Sequence, residues 1–142
     1  MPALRLDVVT AERMVYSDDV DSVVAPGREG ELTLLPRHAA LMTTLQPGAL
    51  RVRGPAGEVD LAIGGGFLEI RDNRVLVLAD SAERAEEIDI ERAHAAEERA
   101  RRLIAERGST EDLVAAEAAL RRSQVRLKVA RRHHRTPSDE VR

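Results

Sequence analysis

Glycine and proline stop early in this chain. Eight of nine glycines and five of six prolines fall in residues 1–66, and from Phe67 to Thr136 there is no proline and a single glycine, Gly108. Both residues mark turns, glycine by reaching positive φ and proline by presetting a negative one. The front of the chain therefore reads as short strands joined by turns. The back, from about Glu83, reads as helices broken once. So sharp a contrast implies two modules with separate jobs.

Size sets limits on each. A chain of 142 residues buries roughly two thirds of its unfolded surface. The helical part is too small to bury much alone, so it needs docking or a partner. The chain has no cysteine, which excludes disulfides, thiolate metal sites and cysteine catalysis. No run approaches the roughly 20 apolar residues of a membrane span, and Asp7 stands where a signal peptide would be apolar. The expectation is a soluble protein of the cytoplasmic side.

Along the front, Leu4, Leu6 and Val8 alternate with Arg5, Asp7 and Val9, the period of a strand covered on one face. Met14–Tyr16 and Val20–Val24 follow, with a turn expected at Asp18-Asp19. Further strands are expected at Glu31–Leu35, Ala40–Leu45, Ala49–Arg53, Glu58–Ile63, Phe67–Ile70 and Val75–Ala79. Between them lie Pro36-Arg37-His38, Pro47-Gly48, Gly54–Gly57, Gly64-Gly65-Gly66 and Asp72-Asn73. The last is a two-residue hairpin turn without its usual glycine, although asparagine tolerates positive φ. Eight to ten short strands with no helix between them predict an antiparallel β-sandwich.

The period then changes to that of a helix. Ala93, Ala96, Ala100, Leu103 and Ile104 form a narrow stripe from near Asp89 to Gly108, where a left-handed glycine would end the helix. Ser109 with Asp112 three residues on resembles a capping box. A second helix carries Leu113, Ala116, Leu120, Leu127 and Ala130. Both stripes are rich in alanine, so two antiparallel helices can approach closely while burying little apolar surface per turn. A weakly buried hairpin is suited to leaving its docking surface. The expected division is a sandwich at 1–84, a helical hairpin at 85–135 and a disordered tail at 136–142.

No enzyme site emerges from the residues. The serines lack a base in any recognisable motif, and Gly64-Gly65-Gly66 lacks the Lys-Ser/Thr of a phosphate loop. His38 reads as a turn residue and His94 as a helix-surface residue. His133 and His134 are adjacent, so they point apart on a helix and do not make the i,i+4 metal pair. No catalytic residue and no metal is expected.

Charge is more telling. Residues 1–82 carry 8 basic and 12 acidic side chains, whereas 121–135 carry seven basic ones (Arg121, Arg122, Arg126, Lys128, Arg131, Arg132, Arg135) and no acid. Such a block can be a solvated helix face, but seven cations in fifteen residues repel one another, a cost easier to rationalise if an acidic surface or phosphate meets them. Only Tyr16 and Phe67 are aromatic, so stacking on single-stranded nucleic acid is disfavoured, while duplex binding by charge alone stays open. A nucleotide is another candidate. Arg92 and Arg99 are seven apart on the first helix, Arg122 and Arg126 four apart on the second. In a hairpin these pairs can converge on phosphate oxygens, with Asp89 or Glu83 accepting from an adenine amine or a ribose hydroxyl.

Several stretches together resemble one family. Asp21–Gly27 through Gly30-Glu31-Leu32, then Leu35-Pro36-Arg37-His38, Pro47-Gly48, Gly65-Gly66-Phe67-Leu68-Glu69 and Val77-Leu78-Ala79-Asp80 strongly resemble the epsilon subunit of bacterial F-type ATP synthase, in order, over about residues 3–130. The resemblance implies an N-terminal β-sandwich that binds the gamma subunit and meets the membrane c-ring, and a C-terminal two-helix hairpin. It also implies a non-catalytic place in the central stalk, in the F1 sector on the cytoplasmic face of the bacterial plasma membrane, coupling proton-driven rotation to ATP synthesis. No nucleic acid partner is expected on that reading.

Two site predictions follow from the resemblance. The hairpin, when extended, would inhibit ATP hydrolysis by reaching the alpha and beta subunits, with Arg121, Arg122, Arg126 and Lys128 facing an acidic segment of beta. When folded, it would bind ATP as a regulator and not as a substrate. The family's motif Ile/Leu-Asp-x-x-Arg-Ala stands intact as Ile88-Asp89-Ile90-Glu91-Arg92-Ala93, and Glu83, Arg99, Arg122 and Arg126 match the other members of the family's ATP set. ATP would stabilise the folded hairpin by mass action. The alternative is a stand-alone nucleotide-sensing or basic binding module.

Overall fold

The computed structural model describes residues 3–106 and 108–139, with side chains through His133. Eight strands come first: β1 (Leu4–Val9), β2 (Met14–Val20), β3 (Ser22–Gly27), β4 (Gly30–Leu34), β5 (Leu41–Gly54), β6 (Gly57–Arg71), β7 (Arg74–Ala79) and β8 (Ala82–Arg84). A 3-10 turn (Ala85–Glu87) leads to α1 (Ile90–Ala105) and α2 (Thr110–Asp139). The chain separates into two compact units, Met1–Arg84 and Ala85–Arg142. Sandwich followed by hairpin is the architecture that the compositional break predicts.

In the first unit the strand order is β2-β1-β7-β6-β5-β3-β4, with β8 beside β6. Every pairing is antiparallel except β1 with β7, where Leu6 lies opposite Val75 and Val8 opposite Val77. The two longest strands are shared between the layers. β6 pairs with β8 through Leu61–Ile63 and with β7 through Gly66–Arg71, bending at the glycines between. β5 follows it throughout, with Pro47 opposite Gly64. Strands that bend from one sheet into the next make the corners of a sandwich. β2 and β5, four places apart in the strand order, accordingly come into contact.

Several expected turns are therefore strand interior. Pro47-Gly48 and Gly64-Gly65-Gly66 do not separate strands; they bend β5 and β6, because paired partners on both sides keep the ladder going. Gly66 is required there: its φ is +138, and an added Cβ would lie 2.2 Å from the Leu78 carbonyl oxygen. Asp18-Asp19 is no turn either. Both continue β2, opposite Leu6 and Arg5, and Arg5 lies 3.6 Å from Asp19. The cation neutralises the acidity that suggested a break. The break falls at Asp21, whose N–H bonds to the Arg53 carbonyl at 2.7 Å.

The hairpin turn at Asp72-Asn73 does form, with φ of 50 and 62 at its two residues, the left-handed pair of a type I′ turn. Asn73 also gathers its surroundings. Its carbonyl accepts from Arg5 N–H at 2.8 Å and its Oδ1 from Arg37 N–H at 2.6 Å. Between the layers, Leu4, Leu6, Val20, Val23, Leu34, Leu50, Leu61, Leu68, Ile70 and Val77 are fully buried in one continuous core.

In the second unit α1 and α2 pack against each other. Both caps form. Asp89 Oδ1 accepts from Arg92 N–H at 3.1 Å, and Ser109 Oγ accepts from Asp112 N–H at 3.2 Å. Gly108 does not close α1, which ends at Ala105 with Glu106 as a right-handed C-cap (φ −73). Its place is before the α2 cap, where a Cβ would come within 3.2 Å of an Asp112 oxygen. Ala93 and Ala100 are buried, but Leu103 is 54% exposed, so the α1 stripe turns through Ile104 instead. On α2 the half-buried Leu113 and Leu120 and the buried Ala116, Ser123, Leu127 and Ala130 recur in heptad spacing. Of the expected tail, residues 136–139 lie in α2 and 140–142 fall outside the described residues.

Candidate functional site

The motif residues 88–93 build the start of α1. Asp89 is the N-cap and Arg92 the third helical position, so the capping bond ties them. The Arg92 guanidinium also returns toward the same carboxylate, Nε to Oδ2 at 3.7 Å. Ile88 and Ala93 occupy the positions of a hydrophobic staple, before the cap and at the fourth helical residue. Both are buried, at 8% and 0% exposed. Ile88, Asp89, Arg92 and Ala93 thus each have a folding role: staple, cap, cap partner, staple. Asp89 is committed to this cap through one oxygen and faces Arg92 with the other.

The remaining predicted ligands are distributed. Arg92 and Arg99 are exposed on α1, Arg122 is exposed on α2, and Arg126, one turn on from Arg122, is half-buried. Glu83 lies elsewhere, in β8 of the first unit, opposite Ala62. Within the set, Asp89 and Arg92 are joined to each other. Each exposed guanidinium offers five donors in a planar fork suited to phosphate oxygens.

The basic block runs along α2. Arg121, Lys128 and Arg132 share one face by their spacing of seven and four, and Arg122 with Arg126 lies on another. Arg121, Arg122, Lys128 and Arg131 are exposed. His94 is exposed, 3.7 Å from Glu97, and His38 sits in its turn with Nδ1 2.7 Å from the Ala39 carbonyl oxygen. Among the described residues no three His, Asp or Glu side chains gather as a metal site, and no helix is long and apolar enough to cross a membrane.

Sequence reasoning missed three features. One is an apolar patch on the outer face of β5, β6 and β7, where Met42 is 69% exposed, Phe67 55% and Leu78 51%, with Leu76 beside them. They line a shallow depression of about 150 Å³. The run Val75-Leu76-Val77-Leu78-Ala79 held the signal, because alternation in a strand with one wet face would have placed polar residues at 76 and 78. The second is Ser123, buried in the α2 seam, whose hydroxyl donates to the Ala119 carbonyl at 2.9 Å. The third is Arg84, the final residue of β8. Its guanidinium stands 5.3 Å over the Tyr16 ring. Tyr16 has its phenol pKa pushed above the ordinary 10.0 by burial first and by Asp18 second, with Arg84 opposing.

Comparison with known proteins accounts for both units. Residues 3–85 match the family described as ATP synthase, Delta/Epsilon chain, beta-sandwich domain. Residues 86–131 match its long alpha-helix domain. The ATP synthase epsilon chain of Dehalococcoides mccartyi is 55% identical over 138 residues, covering 96% of this chain and 99% of that one. That of Herpetosiphon aurantiacus is 52% identical over 128 residues, covering 90% and 94%. A chain in the mitochondrial ATP synthase of Euglena gracilis superposes with a TM-score of 0.75 at 25% identity, covering 87% of this chain and 79% of that one. Matched in both its units and over nearly all its length, the chain belongs to the ATP synthase delta/epsilon family, whose members are non-catalytic subunits of the synthase.

Proposed function

We propose that this central-stalk subunit docks on the gamma subunit and the c-ring through its sandwich, couples proton-driven rotation to ATP synthesis, and inhibits ATP hydrolysis through its hairpin at the cytoplasmic face of the bacterial membrane. The observation that carries the reading is the match of both units, in order, to the two domains of one family. The exposed apolar patch at Met42, Phe67, Leu76 and Leu78 supports docking, since contiguous exposed apolar side chains often mark a protein-interaction surface. The basic faces of α2 support contact with an acidic surface of beta when the hairpin is extended, through Arg121, Arg122, Arg126 and Lys128.

ATP is the regulator in this reading. Glu83, Ile88, Asp89, Arg92, Ala93, Arg99, Arg122 and Arg126 would hold it, and it would favour the folded hairpin in proportion to its occupancy. The exposed guanidiniums of Arg92, Arg99 and Arg122 support this.

The test has two arms. Stoichiometric association of the full chain with gamma is expected, and Phe67→Asp should abolish it; no association under native conditions sinks the stalk role. In calorimetry with ATP, Arg92→Ala, Arg122→Ala and Arg126→Ala should each weaken binding. Unchanged affinity in all three removes ATP from the proposal while leaving the stalk role in place.

A further inference from the structure

A β-bulge and an aromatic ring receive the last residue of the sandwich. In the ladder of β1 with β2, Val8 lies opposite Tyr16 and Val9 opposite Met14, so Val15 is the extra residue of β2. A bulged residue has no cross-strand partner, and its carbonyl must find a donor elsewhere. β2 is also the outermost strand on its side. The donor comes from far along the chain: Arg84 Nε bonds to the Val15 carbonyl at 3.1 Å. The guanidinium stands over the face of the neighbouring Tyr16 ring at 5.3 Å, within the roughly 6 Å of a cation–π contact. Tyr16 is itself 8% exposed, so this face is fixed.

β8 needs such support. It has three residues, and among the described residues its one ladder is with Leu61–Ile63 of β6. Directly after Arg84 the chain leaves the sheet for the 3-10 turn and the α1 cap. Pulling on that exit would peel β8 from its open end unless the end were held.

We propose that the bulged Val15 carbonyl and the Tyr16 ring form a built receptor for the Arg84 side chain, which pins the end of β8 and makes Arg84 the last anchored residue of the sandwich. The pinning stands on the geometry within the sandwich. Its use, as the fixed side of the hinge about which the hairpin moves, rests on the function proposed above. A lysine cannot substitute fully, because it lacks the planar fork that bonds the carbonyl and covers the ring together.

Hydrogen exchange on the full chain, read residue by residue, tests it. Arg84→Ala should speed exchange about ten- to a hundredfold across Ala82–Arg84 and at Gly64, whose N–H bonds to the Ser81 carbonyl at 2.8 Å. Arg84→Lys should show most of that effect and Tyr16→Phe, which keeps the ring, little of it. Amides of β1 and β7 should be unchanged. Exchange in β8 within twofold of the parent in Arg84→Ala overturns the proposal, and so does an equal rise in every strand. A hairpin found not to regulate hydrolysis would overturn the proposed function and leave the exchange result standing.

Discussion

The two units bury different kinds of side chain. The sandwich encloses leucine, isoleucine and valine from all of its longer strands, among them Leu4, Leu6, Leu50, Leu61, Ile63, Leu68 and Ile70. The hairpin buries Ala93, Ala100, Ala116, Ser123 and Ala130, with Leu127 and Val129 as its larger buried side chains. At ~25 cal/mol per Å² of apolar surface, an alanine contributes a fraction of what a leucine does. The sandwich therefore buries more apolar surface per residue of its core than the hairpin does.

The sharpest way to break this contrast is to remove the hairpin. A chain ending after Ala85 should remain a folded sandwich that binds gamma and should lose inhibition of hydrolysis entirely. Inhibition equal to that of the full chain would mean that the helices are not the regulator. Next in size is Gly66→Ala, which forces a side chain onto a positive φ and against the Leu78 carbonyl. It should destabilise the sandwich by roughly 3 kcal/mol in denaturant titration, while the hairpin transition stays in place. Leu61→Ala in the sandwich should cost ~2–5 kcal/mol, and Leu127→Ala less, because the small residues around it can close the gap. Equal losses would erase the contrast.

A smaller effect separates the two meanings of the motif at the start of α1. Asp89→Ala should cost ~1 kcal/mol of hairpin stability through the lost cap, whereas Asp89→Ser, also a good cap, should restore it. If Asp89→Ser restores helicity but not ATP affinity, the carboxylate serves the nucleotide as well as the helix. If both return, the motif is a cap and staple alone. The smallest effect concerns pH. The Tyr16 phenol has a raised pKa in the folded sandwich, so the folded state holds that proton more tightly than the unfolded one. The associated stability is complete below pH 10 and is lost as pH climbs through the folded value. Tyr16→Phe should flatten this alkaline fall in Tm, and an identical fall in the variant would assign it to other groups.

Much of this was legible in the sequence for physical reasons. Leu4, Leu6 and Val8 alternate because one face of β1 meets the core. Ser109 is a cap because a short polar side chain can reach back to a third-residue N–H. What sequence reasoning misplaced were breaks that pairing overrides. Proline and glycine at 47–48 and 64–66 signal chain reversal in isolation, yet with a partner strand on each side they only bend a continuous ladder. Asp18 and Asp19 look like a turn until Arg5 is set across from Asp19. Of the candidate site, the motif Ile88–Ala93 stood out by resemblance, but the capping bond between Asp89 and Arg92 was not read from it. Nor was Arg84 legible, since the donor and the bulge it serves are separated by nearly the whole sandwich sequence.

The parallel pairing of β1 with β7 bears on how the molecule is made. Leu6 and Val8 sit between β2, translated directly after them, and Val75 and Val77 of β7, translated near the end of the sandwich. On a ribosome the first hairpin of strands must wait with one edge open until that last hairpin emerges. Closure of so non-local a pair is slow, and an open apolar edge is prone to wrong partners. Synthesis of this subunit therefore passes through a vulnerable interval that ends only when the β6–β7 hairpin, turned by Asp72 and Asn73, arrives to shut the sheet.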